Sequence, residues 1–236
     1  MKLTLRAFAA LLGYPSAALQ AHAAAIADAI RTEGALPRAE AARLRPLLDA
    51  MAGEDLLDIQ SAYSELFDRS RSLSLHLFEH VHGDGRERGQ AMIDLGQQYL
   101  ERGIYLEASE LPDFIPVFLE YASCLPSAEA RETLAQPVHV FAALAERLDK
   151  RGTPYAAIFH GLVALAGTRP DAALMAEVAQ NTPEEDPALI DEEWEEAPVS
   201  FSAGAAHEMG GPTGFVAKIR ASNRPVAGAA AKEAGR

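Results

Sequence analysis

An all-helical fold is what this sequence predicts, on three grounds. Alanine and leucine, both strong helix formers, dominate a chain that is 49% hydrophobic. Alternating runs rich in Val and Ile, the mark of half-buried strands, are missing. Prolines at 15, 37, 112, 126, 154 and 170 fall where helices start or connect, while Pro46 and Pro137 interrupt helical patterns and predict breaks or kinks.

Taken in order, the first helix (3–12) is amphipathic and stops at the turn Gly13-Tyr14-Pro15. Helices at 17–33 and 38–51 follow Pro15 and Pro37, the second carrying Pro46. Over 54–67, Leu56, Ile59, Tyr63, Leu66 and Phe67 recur at helical spacing and form one apolar stripe. The next helix, 72–80, holds the segment HLFEH. Over 86–103, Met92, Leu95, Tyr99 and Leu100 form a second stripe, which Gly103 ends with an Arg in its last turn. Helices at 112–124, 127–149, 154–167 and 170–180 begin close behind prolines. Ser127 is the expected cap of its helix, with Glu129 in the first turn.

These elements make residues 1–180 a single helical globule, and residues 181–236 a separate, acidic and then Gly/Ala-rich tail. Of the net charge of −13, the first 180 residues carry −8, residues 181–200 carry another −8 without one Lys or Arg, and the remainder carries +3. Acids at that density repel one another, so the tail is expected to be largely disordered, with Trp194 a candidate anchor for a groove.

Composition also excludes function classes. One cysteine permits neither an intrachain disulfide nor a thiolate-rich zinc or iron–sulfur site, so the chain tolerates a reducing compartment. A pI near 5.0 argues against nucleic acid and favours basic partners. The apolar run Ala7–Leu12 is shorter than the ~7–15 residues of a signal-peptide core, and nothing reaches the ~18 of a membrane span. A cytoplasmic protein without stable membrane insertion is expected.

The chemical motifs are few. GDGRERG (83–89) lacks the preceding strand of a dinucleotide fingerprint and the Lys-Ser/Thr of a phosphate loop, so it reads as a turn. HLFEHVHG places His76, Glu79 and His80 on one helical face with His82 behind, a spacing that suits a shared ion but is equally met by hydrogen-bonded side chains. Cys124, in EYASCLP, reads as a buried structural thiol. No nucleophile elbow is present, and nothing in the sequence brings two of Asp68, Glu79, Asp84, Glu110 and Asp113 to a defined distance. A non-enzyme is expected. The segments 63–92 and 110–121 instead mix large apolar side chains with acids and His, which suits a groove for a basic amphipathic peptide, an apolar floor under an acidic rim.

The motifs LLGYPS (11–16), YSELFDRSRSLSLHLFEHVHGDGRERGQAM (63–92) and ELPDFIPVFLEY (110–121) resemble the NarJ-type chaperones of respiratory nitrate reductase, part of the wider TorD/DmsD-like group of redox enzyme maturation proteins. Weaker similarity runs through 127–180 and into DEEWEE (191–196). The resemblance implies a single helical bundle of the TorD type that carries no cofactor or metal. It further implies binding of the N-terminal region of the apo catalytic subunit, NarG, which stays competent for molybdenum cofactor insertion while membrane docking is delayed. Cofactor delivery proteins are further candidate partners. One departure is plain: where the related loop reads Glu-x-Pro-Asp-His, this chain has Glu110, Pro112 and Asp113 but Phe114 in place of the histidine.

Joining both readings, the expected client-peptide site comprises Tyr63, Phe67, Asp68, Phe78, Glu79, His80, His82, Arg86, Glu110, Pro112, Asp113 and Phe114. Tyr63, Phe67, Phe78 and Phe114 would form the floor, Glu79, Glu110 and Asp113 the charge, and His80 and His82 would titrate near neutrality. Two alternatives stand beside it: a generic helical adaptor, and a metal-binding protein acting through His76, His80 and His82.

Overall fold

The structure, a computed structural model, describes residues 1–82, 87–106 and 110–182. Twelve α-helices follow one another among them: α1 (Lys2–Leu12), α2 (Ala17–Glu33), α3 (Arg38–Arg43), α4 (Arg45–Gly53), α5 (Leu56–Phe67), α6 (Leu77–His82), α7 (Glu87–Glu101), α8 (Ile115–Cys124), α9 (Ser127–Ala135), α10 (Val138–Lys150), α11 (Ala156–Ala166) and α12 (Ala172–Asn181). The described residues all fall within one compact unit. The tail expected from 181 onward lies, beyond Thr182, outside the described residues. No helix among those described is long and apolar enough to cross a membrane.

The body of the fold is aliphatic and aromatic. Helices α8 and α11 are apolar nearly all round, and α1 and α10 present Leu5, Phe8, Leu11 and Leu12 and Phe141, Leu144 and Leu148 to the same core. Gly161 of α11 makes the tightest approach: a Cβ there would stand 2.8 Å from Phe8 Cζ, so this crossing tolerates only glycine without a shift. The first turn of α1 has no acid of its own. Its open amides are met from α2, where Glu33 accepts from Leu3 N (2.9 Å), Thr4 N (2.7 Å) and Thr4 Oγ1 (2.6 Å).

Both proline breaks are present. The helix expected over 38–51 divides at Leu44, with Pro46 in the first turn of α4, and the one over 127–149 divides at Pro137. The α5 stripe is buried through Ile59, Tyr63 and Phe67, and Asp55 caps it on Leu57 N (2.9 Å).

Four expectations are corrected. The helix expected over 72–80 is instead a single 3-10 turn (Arg71–Leu73), a short extended stretch and then α6. Ser74 Oγ accepts from His76 N, and the stretch pairs with the approach to α8, Ile115 N donating to Leu75 O (2.8 Å) and Leu77 N to Asp113 O (3.0 Å). Serine side chains and a partner strand segment thereby take the bonds a helix would use. Leu100 is 49% exposed rather than part of the α7 stripe. The cap before α9 is Pro126, Ser127 being its first helical residue. Cys124 is exposed at the end of α8, because the helix turns its other face to the core.

Candidate functional site

Of the expected site residues, Phe78, Glu79, His80 and, at its end, His82 lie on α6, a helix of six residues that buries only Leu77 and His80. A helix this short does not hold itself in place. Its N-terminus is fixed by Asp113, 35 residues away in sequence and wholly buried: Oδ2 accepts from Phe78 N (3.1 Å) and Oδ1 from His76 Nδ1 (3.3 Å). Its C-terminus is fixed by Asn181 of α12, whose Nδ2 donates to the carbonyls of His80 (3.2 Å) and Val81 (2.8 Å).

Beneath the helix, the fully buried His80 ring donates from Nε2 to Ser74 O (2.8 Å). That bond leaves Nδ1 as an acceptor facing the Thr182 hydroxyl (3.2 Å), whose one proton also has Val178 O within reach (3.0 Å). Arg147 of α10 threads the same space, donating to Ser72 O (2.7 Å), Thr182 Oγ1 (3.0 Å) and Thr182 O (2.8 Å). Burial lowers His80 to about 4, with the nearby Arg147 charge acting in the same direction.

Two openings flank α6. One, of about 360 Å³ between α6, α7, α8 and the start of α10, is floored by Leu77, Phe78, Val81, Leu95 and Phe118, with Asp94 at its edge. The other, of about 420 Å³, is polar, with Phe67, Asp68, Arg71, Ser74 and Glu79 on its walls. A third opening of about 630 Å³, between α1, α8 and residues 104–106, takes Glu110, Glu120, Tyr121 and the exposed Cys124.

The expected site residues are therefore divided. Phe78 floors the apolar opening and His82 stacks against it, ring centroids 5.6 Å apart. Phe67, Asp68 and Glu79 line the polar opening, Glu79 also pairing with Arg88 (3.1 Å). Glu110 belongs to the third opening. Pro112 gives its carbonyl to Tyr99 Oη (2.8 Å), and half-buried Phe114 lies 5.3 Å from the His76 ring. Arg86 lies outside the described residues.

Three placements are corrected by this geometry. Tyr63 is 5% exposed and bonds Leu12 O (2.8 Å) within an aromatic cluster with Phe67 and Tyr155, so it is core rather than groove floor. Asp113 is an internal cap, not a rim charge. His80 is sealed under α6, and burial takes its titration far below neutrality. The trio His76, His80 and His82 is also not assembled: His76 lies outside the helix, both His80 nitrogens are engaged, and no group of three His, Cys, Asp or Glu among the described residues is placed to hold an ion.

Sequence reading missed Leu77, Val81, Leu95 and Phe118 as one floor, and Arg147, Asn181 and Thr182 as the support beneath it. Arg147 did leave a signal, being a charge one turn after Leu144 on the buried face of α10.

Comparison with known proteins bears on this arrangement. A family model described as the nitrate reductase delta subunit matches residues 16–160. The nitrate reductase molybdenum cofactor assembly chaperone NarJ of Escherichia coli (strain K12) is 44% identical over 194 residues, 82% of either chain. The nitrate reductase-like protein NarX of Mycobacterium tuberculosis is 32% identical over 102 residues, which are 43% of this chain but 16% of that longer one. Among solved structures, a protein of Archaeoglobus fulgidus assigned to the redox enzyme maturation proteins superposes with a TM-score of 0.53 at 21% identity, covering 71% of this chain and 94% of that one. That likeness is one of fold.

Proposed function

Because the chain belongs to the nitrate reductase delta subunit family, we propose that it is an assembly chaperone for a nitrate reductase, not an enzyme, and that it binds the N-terminal region of the apo catalytic subunit, NarG. Held there, the subunit stays open for molybdenum cofactor insertion and is kept from the membrane until loaded. The observation that carries the peptide-binding part is the apolar opening beside α6: Leu77, Phe78, Val81, Leu95 and Phe118 offer a floor for the apolar face of a helix, and Asp94 a carboxylate for a Lys or Arg beside it. Burial of apolar surface supplies affinity at about 25 cal/mol per Å², while the net charge of −13 draws a basic segment in.

Calorimetric titration with a synthetic peptide of the cognate NarG N-terminus, beside a scramble of equal charge, tests the reading. Saturable one-to-one binding of the native peptide alone is expected. Val81→Asp, which puts a charge on the floor, weakens it by about tenfold or more, and Asp94→Lys by about threefold. Equal binding of the scramble would reduce the interaction to general attraction of bases by an acidic protein.

A further inference from the structure

We propose that the C-terminal end of α12 is a positioning element for the client groove: Asn181 and Thr182 hold α6 from behind, so that the wall carrying Phe78 and Val81 keeps its place. The inference rests on the apolar opening being the client site. It stands on the convergence of four groups from distant parts of the chain. Asn181 Nδ2 bridges the carbonyls of His80 and Val81, and the α6 carbonyls are thereby paired although the helix ends there. Thr182, 1% exposed, faces His80 Nδ1 with its hydroxyl, whose one proton is shared between that nitrogen and Val178 O, and it accepts from Arg147, whose guanidinium also donates to Thr182 O and Ser72 O.

The chain is thus tied in one place from the 3-10 turn through α6 and α10 to the last residue of α12. Because α6 buries just two side chains, its displacement is opposed mainly by directional bonds, those of Asp113 at its start and those from α12 at its end. Burial keeps the His80 imidazole neutral at physiological pH, which leaves Nδ1 free to accept and the clasp closed.

The positions are also separable from the floor they support. Neither Asn181 nor Thr182 lines the apolar opening, and their partners on α6 are the His80 ring and two backbone carbonyls rather than Phe78 or the Val81 side chain. A substitution there alters where the wall stands and leaves its apolar surface unchanged.

The test uses the full chain carrying Thr182→Val, Thr182→Ser or Asn181→Ala, read by hydrogen exchange of residues 76–82 and by the dissociation rate of the NarG N-terminal peptide. Thr182→Val, which keeps the shape and removes the hydroxyl, is expected to speed exchange in 76–82 about tenfold and peptide dissociation about three- to tenfold, with exchange in α10 and α11 unchanged. Thr182→Ser restores both rates. Asn181→Ala, at a half-buried site that cannot collapse the core, moves both in the same direction as Thr182→Val. Unchanged exchange in 76–82 would show that α12 does not hold α6, and faster exchange with an unaltered dissociation rate would show that the held wall is not part of the binding site; either overturns the proposal. Should the wild type bind no peptide, the function assigned to the opening fails and takes the binding role of the clasp with it, while exchange still reports whether α12 holds α6.

Discussion

Helices α1 and α11 meet through carbon: Phe8 lies against Gly161, where no side chain intervenes, and both helices bury one residue after another. Helix α6 is held through nitrogen and oxygen instead, by Asp113 at its start, Asn181 at its end, and His80 with Thr182 and Arg147 beneath. The first kind of contact is non-directional and grows with area. The second contributes about 1 kcal/mol per bond but fixes position. A wall that must stay open on one side cannot gain burial on that side, so its place is set by directional bonds reaching in from Asp113 ahead of α8 and from the end of α12, which Arg147 of α10 braces.

The largest effect belongs to the carbon side of this contrast. Phe8→Ala empties a fully buried ring from the α1–α11 crossing and is expected to cost about 3–5 kcal/mol in urea unfolding, while Gly161→Ala, which overpacks the same contact, costs about 1–3. A loss under about 1 kcal/mol for Phe8→Ala would mean the body does not depend on this interdigitation, and the contrast would collapse.

An intermediate effect follows from His80, and it has a pH signature that the carbon side lacks. The unfolded imidazole titrates near 6.5 and the folded one near 4. Above 6.5 both states are neutral and stability is full. As pH falls from 6.5 towards 4 the unfolded chain takes a proton that the folded one refuses, so stability drops by about 1.4 kcal/mol per unit, to a total on the order of 3 kcal/mol. His139, lowered by burial, adds a slope of the same sign. Unfolding at pH 7 and pH 5 should show the loss in the wild type and a flatter profile in His80→Gln. An identical slope in the two proteins would place the titration elsewhere.

The same division explains what could be read in the sequence. Stripes such as Ile59, Tyr63 and Phe67 repeat with the helix, so α5 and its buried face were legible, as were the breaks at Pro46 and Pro137. The helix expected over 72–80 was not: Ser74 takes the His76 amide, the backbone of Leu75 and Leu77 bonds to Ile115 and Asp113, and no local pattern encodes a partner dozens of residues away. Of the candidate site, the resemblance drew in the segments 63–92 and 110–121, and periodicity the stripe that carries Tyr63 and Phe67. Neither separated Phe78, on an open floor, from Tyr63, in the core, because a buried aromatic and a groove aromatic read alike.

The smallest effect tests where the boundary between the two kinds of anchoring runs. Helix α1 has both: a buried apolar face, and a first turn whose amides are held by Glu33 together with the Met1 amine at 3.1 Å. Burial pushes the Glu33 carboxyl up, but the bonds from Thr4, Leu3 and the amine outweigh it and hold it at about 2. Its contribution is therefore full above the ordinary 4.5 and is lost as pH falls from there towards 2, a window below that of His80. Glu33→Gln is expected to cost about 1 kcal/mol at pH 7 and to speed exchange at residues 2–5 alone, because Leu5, Phe8, Leu11 and Leu12 keep the rest of α1 in the core without it. If exchange rises along the whole helix, α1 leans on its polar clamp as α6 does, and directional anchoring extends beyond the groove wall into the body.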